Sequence, residues 1–250
     1  MRLGIVGGGR AAWAYGSAWL RIGWPITGVW LRPESNSRLP ELLGAERRSM
    51  ESLAADSELV LVAVSDSAIP QVAAKVPASE AIIFHASGSL RSLRDGFSLH
   101  PLKSLPPVGE ESDLRDTLLV FEGQHRKTAR LLATAIGGRF AEVTADLKPL
   151  YHAGAVFGSN YIAALLDVAE ATLTRAGITD ARKDLVALAN SAMNNWQRQT
   201  GPGRFTGPAS RGDFETMKAH LRALGDDPQV ADIYKLLADW ITGGNVATRK

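Results

Sequence analysis

The sequence predicts an α/β fold with an all-α part: a doubly wound α/β domain over residues 1–145, followed by an all-helical domain over residues 146–250. In the first domain, short and continuously apolar segments alternate with helical ones, which is typical of a parallel sheet covered by helices on both faces. From Leu147 onward no segment has the character of a strand, and long helical patterns follow one another. The boundary is therefore expected near Val143–Lys148.

The individual elements follow from the same patterns. Strands are expected at Arg2–Val6, Ile26–Leu31, Leu59–Val64, Ala81–His85, Leu118–Phe121 and Phe140–Val143. Helices are expected at Ala11–Ile22, Ser67–Val76 and Arg126–Ile136 in the first domain, and at Leu147–Ala176, Ala181–Gln199, Phe214–Leu224 and Gln229–Ile241 in the second. The helix from Leu147 would be a single central helix of about 30 residues. The Gly- and Pro-rich stretch QTGPGRFTGPASRGD predicts a loop.

Composition excludes several functional classes. The 250 residues contain no cysteine, so disulfides and thiolate metal sites are excluded, and no metal site is expected. No apolar run approaches the roughly 20 residues that span a bilayer, and the N-terminus lacks the pattern of a signal peptide, so we expect a cytoplasmic protein without a membrane partner. The net charge of +2 comes from short, scattered clusters, which does not favour nucleic-acid binding.

A glycine-rich turn stands at the start of the first expected helix. Gly7-Gly8-Gly9-Arg10-Ala11-Ala12 fits the pattern G-x-G-x-x-A, directly after a strand, which is the context of a dinucleotide-binding turn. Gly7 would permit the tight turn, and Gly9 would let the backbone approach a pyrophosphate. The backbone N–H groups at Arg10 and Ala11 would then bind the phosphates at the positive end of the helix dipole.

The end of the second strand favours NADP over NAD. An acidic residue directly after this strand would bind the adenosine ribose of NAD, but the sequence reads GVWLRPES. The guanidinium of Arg32 can pair with a 2′-phosphate instead.

Polar residues follow two further strands, at the edge where ligands of open α/β sheets bind. Ser65 and Asp66 come after one strand and are expected beside the cofactor, where the side chain of Asp66 would also cap the next helix. Ser87 follows the next strand and is a third candidate for cofactor binding. His85, in the same FHASGS segment, and His100, in LHPLKS, are candidates for substrate binding.

The second domain supplies the candidate catalytic residues. His152 and Asn160 are eight residues apart in YHAGAVFGSNY, so a continuous helix would place them on one face. Arg211 could bind an anionic substrate or Asp66, and Asp213 is expected to cap the following helix. The apolar segment AGAVFGSNYIAALLDVAEATL indicates a homodimer formed through the helical domain, because exposed apolar surface of that extent usually marks a partner.

The motifs VSDSAI, HASGSL, HPLKS, HAGAVFGSNY and GPASRGD, together with the glycine turn, resemble proteins that carry a domain of unknown function called DUF2520. That group is similar to the β-hydroxyacid dehydrogenase and pyrroline-5-carboxylate reductase superfamily, and its second domain resembles the C-terminal domain of 6-phosphogluconate dehydrogenase. The resemblance implies a Rossmann domain, NADP binding, a dimer and an oxidoreductase activity. The β-hydroxyacid dehydrogenases use a Lys with an Asn four residues later, whereas Lys148 here has no such Asn, so His152 is the expected proton donor.

Two functions remain open from the sequence. The first is an NADP-dependent oxidoreductase that acts on a small carbonyl, imine or hydroxy compound in a cleft between the two domains. The second is a non-catalytic NADP(H)-binding sensor or regulatory module. A related cofactor such as F420 also fits the glycine turn.

Overall fold

A seven-stranded sheet forms the centre of the first part of the chain in the computed structural model, which describes residues 1–243. Its strands are β1 (Leu3–Val6), β2 (Ile26–Trp30), β3 (Leu59–Val62), β4 (Ile82–His85), β5 (Phe97–Pro101), β6 (Leu118–Gly123) and β7 (Arg139–Glu142). They lie in the order β2-β1-β3-β4-β5-β6-β7. All neighbouring pairs are parallel except β5 and β6. The predicted fold class is confirmed, and the six predicted strands end within two residues of their expected bounds.

Strand β5 was not predicted, because the segment FSLHP ends in His and Pro and has only a short apolar pattern. Its backbone nevertheless pairs with β4 in parallel and with β6 in antiparallel register. This strand brings His100 to the carboxyl ends of β3 and β4, where the other candidate residues lie.

Eleven helices are described. In order they are α1 (Arg10–Arg21), α2 (Leu39–Leu43), α3 (Met50–Asp56), α4 (Ile69–Lys75), α5 (Arg126–Ala135), α6 (Lys148–Phe157), α7 (Asn160–Arg175), α8 (Arg182–Arg198), α9 (Pro208–Arg211), α10 (Phe214–Ala223) and α11 (Pro228–Ile241). The stretch predicted as a loop after α8 contains the short helix α9. No helix within residues 1–243 is long and apolar enough to cross a membrane.

The two faces of the sheet are covered by separate apolar clusters. Leu59 and Leu61 of β3 belong to one cluster and Val60 and Val62 to the other, as the alternation of side chains along a strand requires. In the larger cluster Phe84 stacks on Phe97, with ring centroids 5.0 Å apart. These buried strands fix the sheet edge on which the candidate site is built.

The described chain divides into two compact units, residues 1–159 and the part from Asn160 onward. Helix α6 belongs to the first unit. The division into a dinucleotide-binding domain over residues 1–145 and a substrate domain over residues 146–250 stays a prediction.

The prediction of one continuous helix over Leu147–Ala176 is wrong. Helix α6 ends at Phe157 and α7 begins at Asn160. Between them lie Gly158, which caps the C-terminus of α6, and Ser159, whose backbone N–H donates to the carbonyl of Val156 instead of continuing the α-helical pattern. His152 and Asn160 therefore do not share the face of one helix.

Candidate functional site

The three glycines of the turn between β1 and α1 have different surroundings. Gly7 has φ +117°, and a Cβ there would overlap the carbonyl group of Ala63 at the end of β3. A Cβ on Gly8 would lie 2.7 Å from a methyl group of Leu31. At Gly9 the nearest atom to such a Cβ is the Ala63 oxygen, 4.0 Å away. The packing of the protein itself therefore explains Gly7 and Gly8, but not Gly9.

Helix α1 begins at this turn without the usual capping. Gly9 is its N-cap residue, no side chain accepts from the first turn, and no acidic residue lies there. Arg10, a cation, occupies the first helical position. The exposed N–H groups and the positive end of the helix dipole favour an anion at this point.

A cavity of about 560 Å³ opens at the same place, within the size range of small-ligand sites. It is formed by the turn after β1, the segment after β2 and the segment after β3. Among the predicted cofactor-binding residues, those that line it are Gly7, Gly9, Arg10, Ala11, Arg32 and Ser65. Apolar groups of Leu31, Val64, Ala68 and Val72 complete the walls, so the cavity offers both polar donors and flat apolar surface.

Arg32 lies on the cavity wall with its side chain 75% exposed. It forms an ion pair with Glu34 over 3.5 Å, but Glu34 itself does not line the cavity. An exposed pair of this kind contributes about 0–1 kcal/mol, so an incoming anion can replace Glu34 as the partner of Arg32. Arg47 lies nearby and donates to the carbonyl of Ser35, which also lines the cavity.

Asp66 and Ser87 are not in the cavity wall. The prediction that Asp66 caps the following helix is wrong: it lies in a 3-10 turn, Asp66–Ala68, and neither this turn nor α4 has a side-chain cap. Its carboxylate instead accepts hydrogen bonds from Ser87 over 2.7 Å and from Ser89 over 3.1 Å. The backbone N–H of Leu90 donates to the Ser87 hydroxyl. These bonds tie the loop after β4 to the loop after β3.

His85 is buried, and both of its ring nitrogens have partners. Nδ1 lies 3.2 Å from the backbone nitrogen of Ser87, which donates to it, and Nε2 lies 3.0 Å from the carbonyl of Arg91. These contacts fit the neutral tautomer with the proton on Nε2. Burial lowers the pKa of His85, which also favours the neutral form. No ring nitrogen is left for a substrate, so the substrate role predicted for His85 has no geometric support.

A second cluster, which we call the His100 cluster, consists of Gly88, His100, Tyr151 and His152. The Tyr151 hydroxyl lies 2.5 Å from His100 Nδ1, and the rings of His100 and His152 meet edge to face with centroids 5.9 Å apart. A Cβ on Gly88 would lie within 3.0 Å of both imidazoles. The absence of a side chain at Gly88 thus makes room for two histidines at the carboxyl ends of β4 and β5.

Lys148, at the start of α6, occupies a buried position that the sequence did not predict. Its ammonium is buried, donates to Ser98 Oγ and to the carbonyl of Ser87, and lies 3.6 Å from the buried carboxylate of Glu122. Burial lowers the pKa of Lys148, while Glu122 raises it. The lysine joins β5, β6 and the β4 loop to the helix that carries Tyr151 and His152. One of its hydrogen-bond partners, Ser98, lies in β5, the strand that the sequence did not predict.

In the second unit, the predicted role of Asp213 is confirmed, because its carboxylate caps α10 by accepting from the backbone N–H of Thr216 over 3.1 Å. Asn160 opens α7, and Arg211 is the last residue of α9, with an exposed side chain. The catalytic and substrate roles given to these two residues stay predictions. Within residues 1–243 no group of three or more acidic or histidine side chains could hold a metal ion.

Comparison with known proteins defines the class. Residues 118–241 match the family model of DUF2520, a domain of unknown function. No curated protein sequence matches the chain. The resemblance to DUF2520 that the motifs predicted is confirmed over these residues, which are about half of the chain.

Solved structures extend the similarity over the whole chain. A Bacteroides fragilis protein described as a "putative NADP oxidoreductase" has a TM-score of 0.81 at 22% identity, covering 97% of this chain and 98% of that one. Protein TM1727 from Thermotoga maritima has a TM-score of 0.78 at 23% identity, with coverage of 99% and 100%. A reductive aminase from Aspergillus terreus in complex with NADPH has a TM-score of 0.68 at 15% identity, with coverage of 98% and 94%. At these identities the likeness establishes the fold, a Rossmann domain followed by a helical one.

Proposed function

We propose that this protein is an NADP-dependent oxidoreductase acting on a small carbonyl, imine or hydroxy compound. The observation that carries the proposal is Gly9, whose missing side chain serves no packing need and leaves open the cavity at the uncapped start of α1. A pyrophosphate is the ligand that such a turn accommodates best.

The residues present fit a dinucleotide. The N–H groups at the start of α1 and the side chain of Arg10 would hold the pyrophosphate, and the apolar walls around Val64 and Val72 suit an adenine ring. Arg32 and Ser35 would hold the 2′-phosphate, because both line the cavity whereas Glu34 does not. This arrangement favours NADP over NAD.

A nicotinamide cofactor, when bound, supplies or accepts the two electrons of such a reaction. The protein must then move one proton. His152 exchanges that proton, because an imidazole can both donate and accept a proton and this one lies partly exposed beside Gly88 and His100. The structures described as reductases support the proposal, because the reductive aminase was solved with NADPH on the same fold.

The test compares two glycines of one turn. Gly9→Val is expected to keep the stability of the unliganded protein, since a Cβ has room there, and to abolish NADPH binding measured by nicotinamide fluorescence. Gly7→Ala is the matched control, and we expect it to lower the melting temperature, because φ +117° and the Ala63 carbonyl both oppose a side chain. Unchanged NADPH affinity in Gly9→Val would reduce the three glycines to a structural turn.

Turnover is tested separately by NADPH oxidation with a ketone alone and with the ketone plus a primary amine, for example cyclohexanone and allylamine. Oxidation that depends on the ketone supports a reductase, and faster oxidation with the amine indicates an imine substrate. Tight NADPH binding without oxidation, across ketones, imines and hydroxy acids, would favour the sensor function instead.

We also propose that the protein is a homodimer formed through the helical unit. Leu188 of α8, Trp196 of α8 and Leu236 of α11 are 67%, 63% and 71% exposed, which is unusual for large apolar side chains. Light scattering at micromolar concentration should give twice the mass of one chain. A monomer, or a dimer unaffected by Trp196→Glu, would contradict the proposal.

A further inference from the structure

The imidazole of His100 is held on one side only. The Tyr151 hydroxyl lies 2.5 Å from Nδ1. On the other side, Nε2 makes no hydrogen bond within residues 1–243, and it is not among their buried polar atoms that lack a partner. Nε2 is therefore not fully enclosed by the described residues, and its hydrogen-bonding capacity is unused among them.

Burial keeps His100 neutral. The pKa of His100 is lowered to about 4, first by burial and then by the neighbouring His152 and Lys148, while the carboxylate of Asp66 raises it by less. Burial also raises the pKa of Tyr151 to about 12, so the phenol keeps its proton. The hydrogen bond between the two side chains thus joins two neutral groups.

The direction of this bond fixes where the proton of His100 lies. A phenol hydroxyl is a stronger acid than the N–H of a neutral imidazole, so Tyr151 donates and Nδ1 accepts. The remaining ring proton of His100 must then be on Nε2.

The position of Nε2 in the sheet favours a ligand as its partner. His100 stands at the carboxyl end of β5, next to β4 in a parallel pair, so it lies at the sheet edge where ligands of this fold class bind. A Cβ on Gly88 would come within 3.0 Å of Nε2 and 2.5 Å of the His152 ring. Only a residue without a side chain fits at this point, where the two imidazoles come together.

We propose that Tyr151 fixes His100 as a neutral Nε2–H donor, and that this N–H binds the carbonyl oxygen or imine nitrogen of the substrate beside His152. The inference rests on the proposed function and deepens it. A neutral imidazole can stabilise developing negative charge while keeping its own proton, so His100 polarises the substrate and His152 exchanges the proton.

Nitrogen-15 NMR of the unliganded protein tests the tautomer without any turnover. We expect the ring of His100, assigned through His100→Gln, to show the neutral Nε2–H pattern between pH 5.5 and 8 with no titration. Tyr151→Phe should mix the two tautomers. A His100 that titrates near pH 6.5, or that carries its proton on Nδ1, would overturn the proposal whatever the cofactor.

Binding to a carbonyl is tested in the same spectra, with cyclohexanone as the probe, in the presence and absence of NADP⁺. The His100 Nε2–H signal should move on addition of the ketone, and a signal unmoved by cyclohexanone and by pyruvate overturns the donor role. If turnover is found, His100→Gln, which keeps an N–H near this position, should retain far more of kcat than His100→Leu, for which we expect a loss of about 10²–10³-fold. NADPH affinity should be equal in both variants. Failure of NADPH binding in the unmodified protein would sink the proposed function and leave the tautomer result standing.

Discussion

The buried ion pair of Lys148 and Glu122 allows a quantitative prediction of how much it contributes to the stability of the protein. Their side chains are only 2% and 7% exposed, and their charged atoms lie 3.6 Å apart. Lys148 also donates to Ser98 Oγ and to the carbonyl of Ser87. We expect Lys148→Met to destabilise the protein, because it leaves the Glu122 carboxylate buried without a counter-charge.

The magnitude follows from what Glu122 keeps. Losing one partner of a buried pair costs about 3–5 kcal/mol. The backbone N–H and hydroxyl of Ser92 still donate to Glu122, over 2.7 and 3.1 Å, so the lower end of that range, about 3 kcal/mol, is expected. For a chain of this size that is about 6–12 °C in melting temperature. The double variant Lys148→Met with Glu122→Gln removes both charges and should recover about 1–2 kcal/mol.

Urea unfolding followed by circular dichroism measures the stability of both variants. Lys127→Met is the control at an exposed lysine, where the change should stay within about 0.5 kcal/mol. NADPH affinity should be unchanged throughout, because none of these residues lines the cavity. The reasoning is refuted if Lys148→Met is as stable as the parent, or if the double variant is no more stable than the single one.

Three further outcomes are expected. Arg32→Ala should weaken NADPH by about 1–3 kcal/mol and leave NADH nearly unchanged in fluorescence titrations, and equal affinities of the unmodified protein for both nucleotides would contradict NADP selectivity. His152→Ala should lower turnover by about 10²–10⁴-fold at constant NADPH affinity, and full activity would exclude it as the proton donor. Because the pKa of His100 falls from 6.5 to about 4 on folding, the unfolded chain binds more protons between these values, so stability should decline as the pH falls from 6.5 to 4. At 1.36 kcal/mol per pH unit this loss of stability is at most about 3.4 kcal/mol. The fall of the urea midpoint between pH 6.5 and 4 should be smaller in His100→Gln.

The sheet could be predicted from the sequence wherever a strand is a continuous apolar run. Leu59–Val62 is buried on both sides and has no competing interpretation. Strand β5 was missed because it is short and ends in His and Pro, and because its polar residues find their partners only in the folded protein, as Ser98 does beside Lys148. Its pairing depends on contacts distant in sequence, which local pattern does not contain.

The candidate site, like the sheet, could be predicted from the sequence only in part. The glycine turn and Arg32 were predictable, since their roles follow from backbone conformation and from position after a strand. The engagement of His85 with the carbonyl of Arg91 depends on a hydrogen bond between two loop-forming segments, which the local pattern does not contain. The helix break at Gly158 and Ser159 was also not predicted. The spacing of His152 and Asn160 gave no warning of that break, because both adjoining segments are helical.

Gly9 offers a last prediction in which stability and binding change in opposite directions. Its φ of −93° and ψ of −171° suit any residue, and serine is a better N-cap than glycine. Gly9→Ser should therefore stabilise the unliganded protein by about 0.5–1 kcal/mol, through the cap and through a less flexible unfolded chain. The same hydroxyl would take the N–H groups that a phosphate needs, so NADPH affinity should fall at least tenfold. A turn with only a structural role would gain stability at no cost to any ligand, and unchanged NADPH affinity in Gly9→Ser would show that it has only that role.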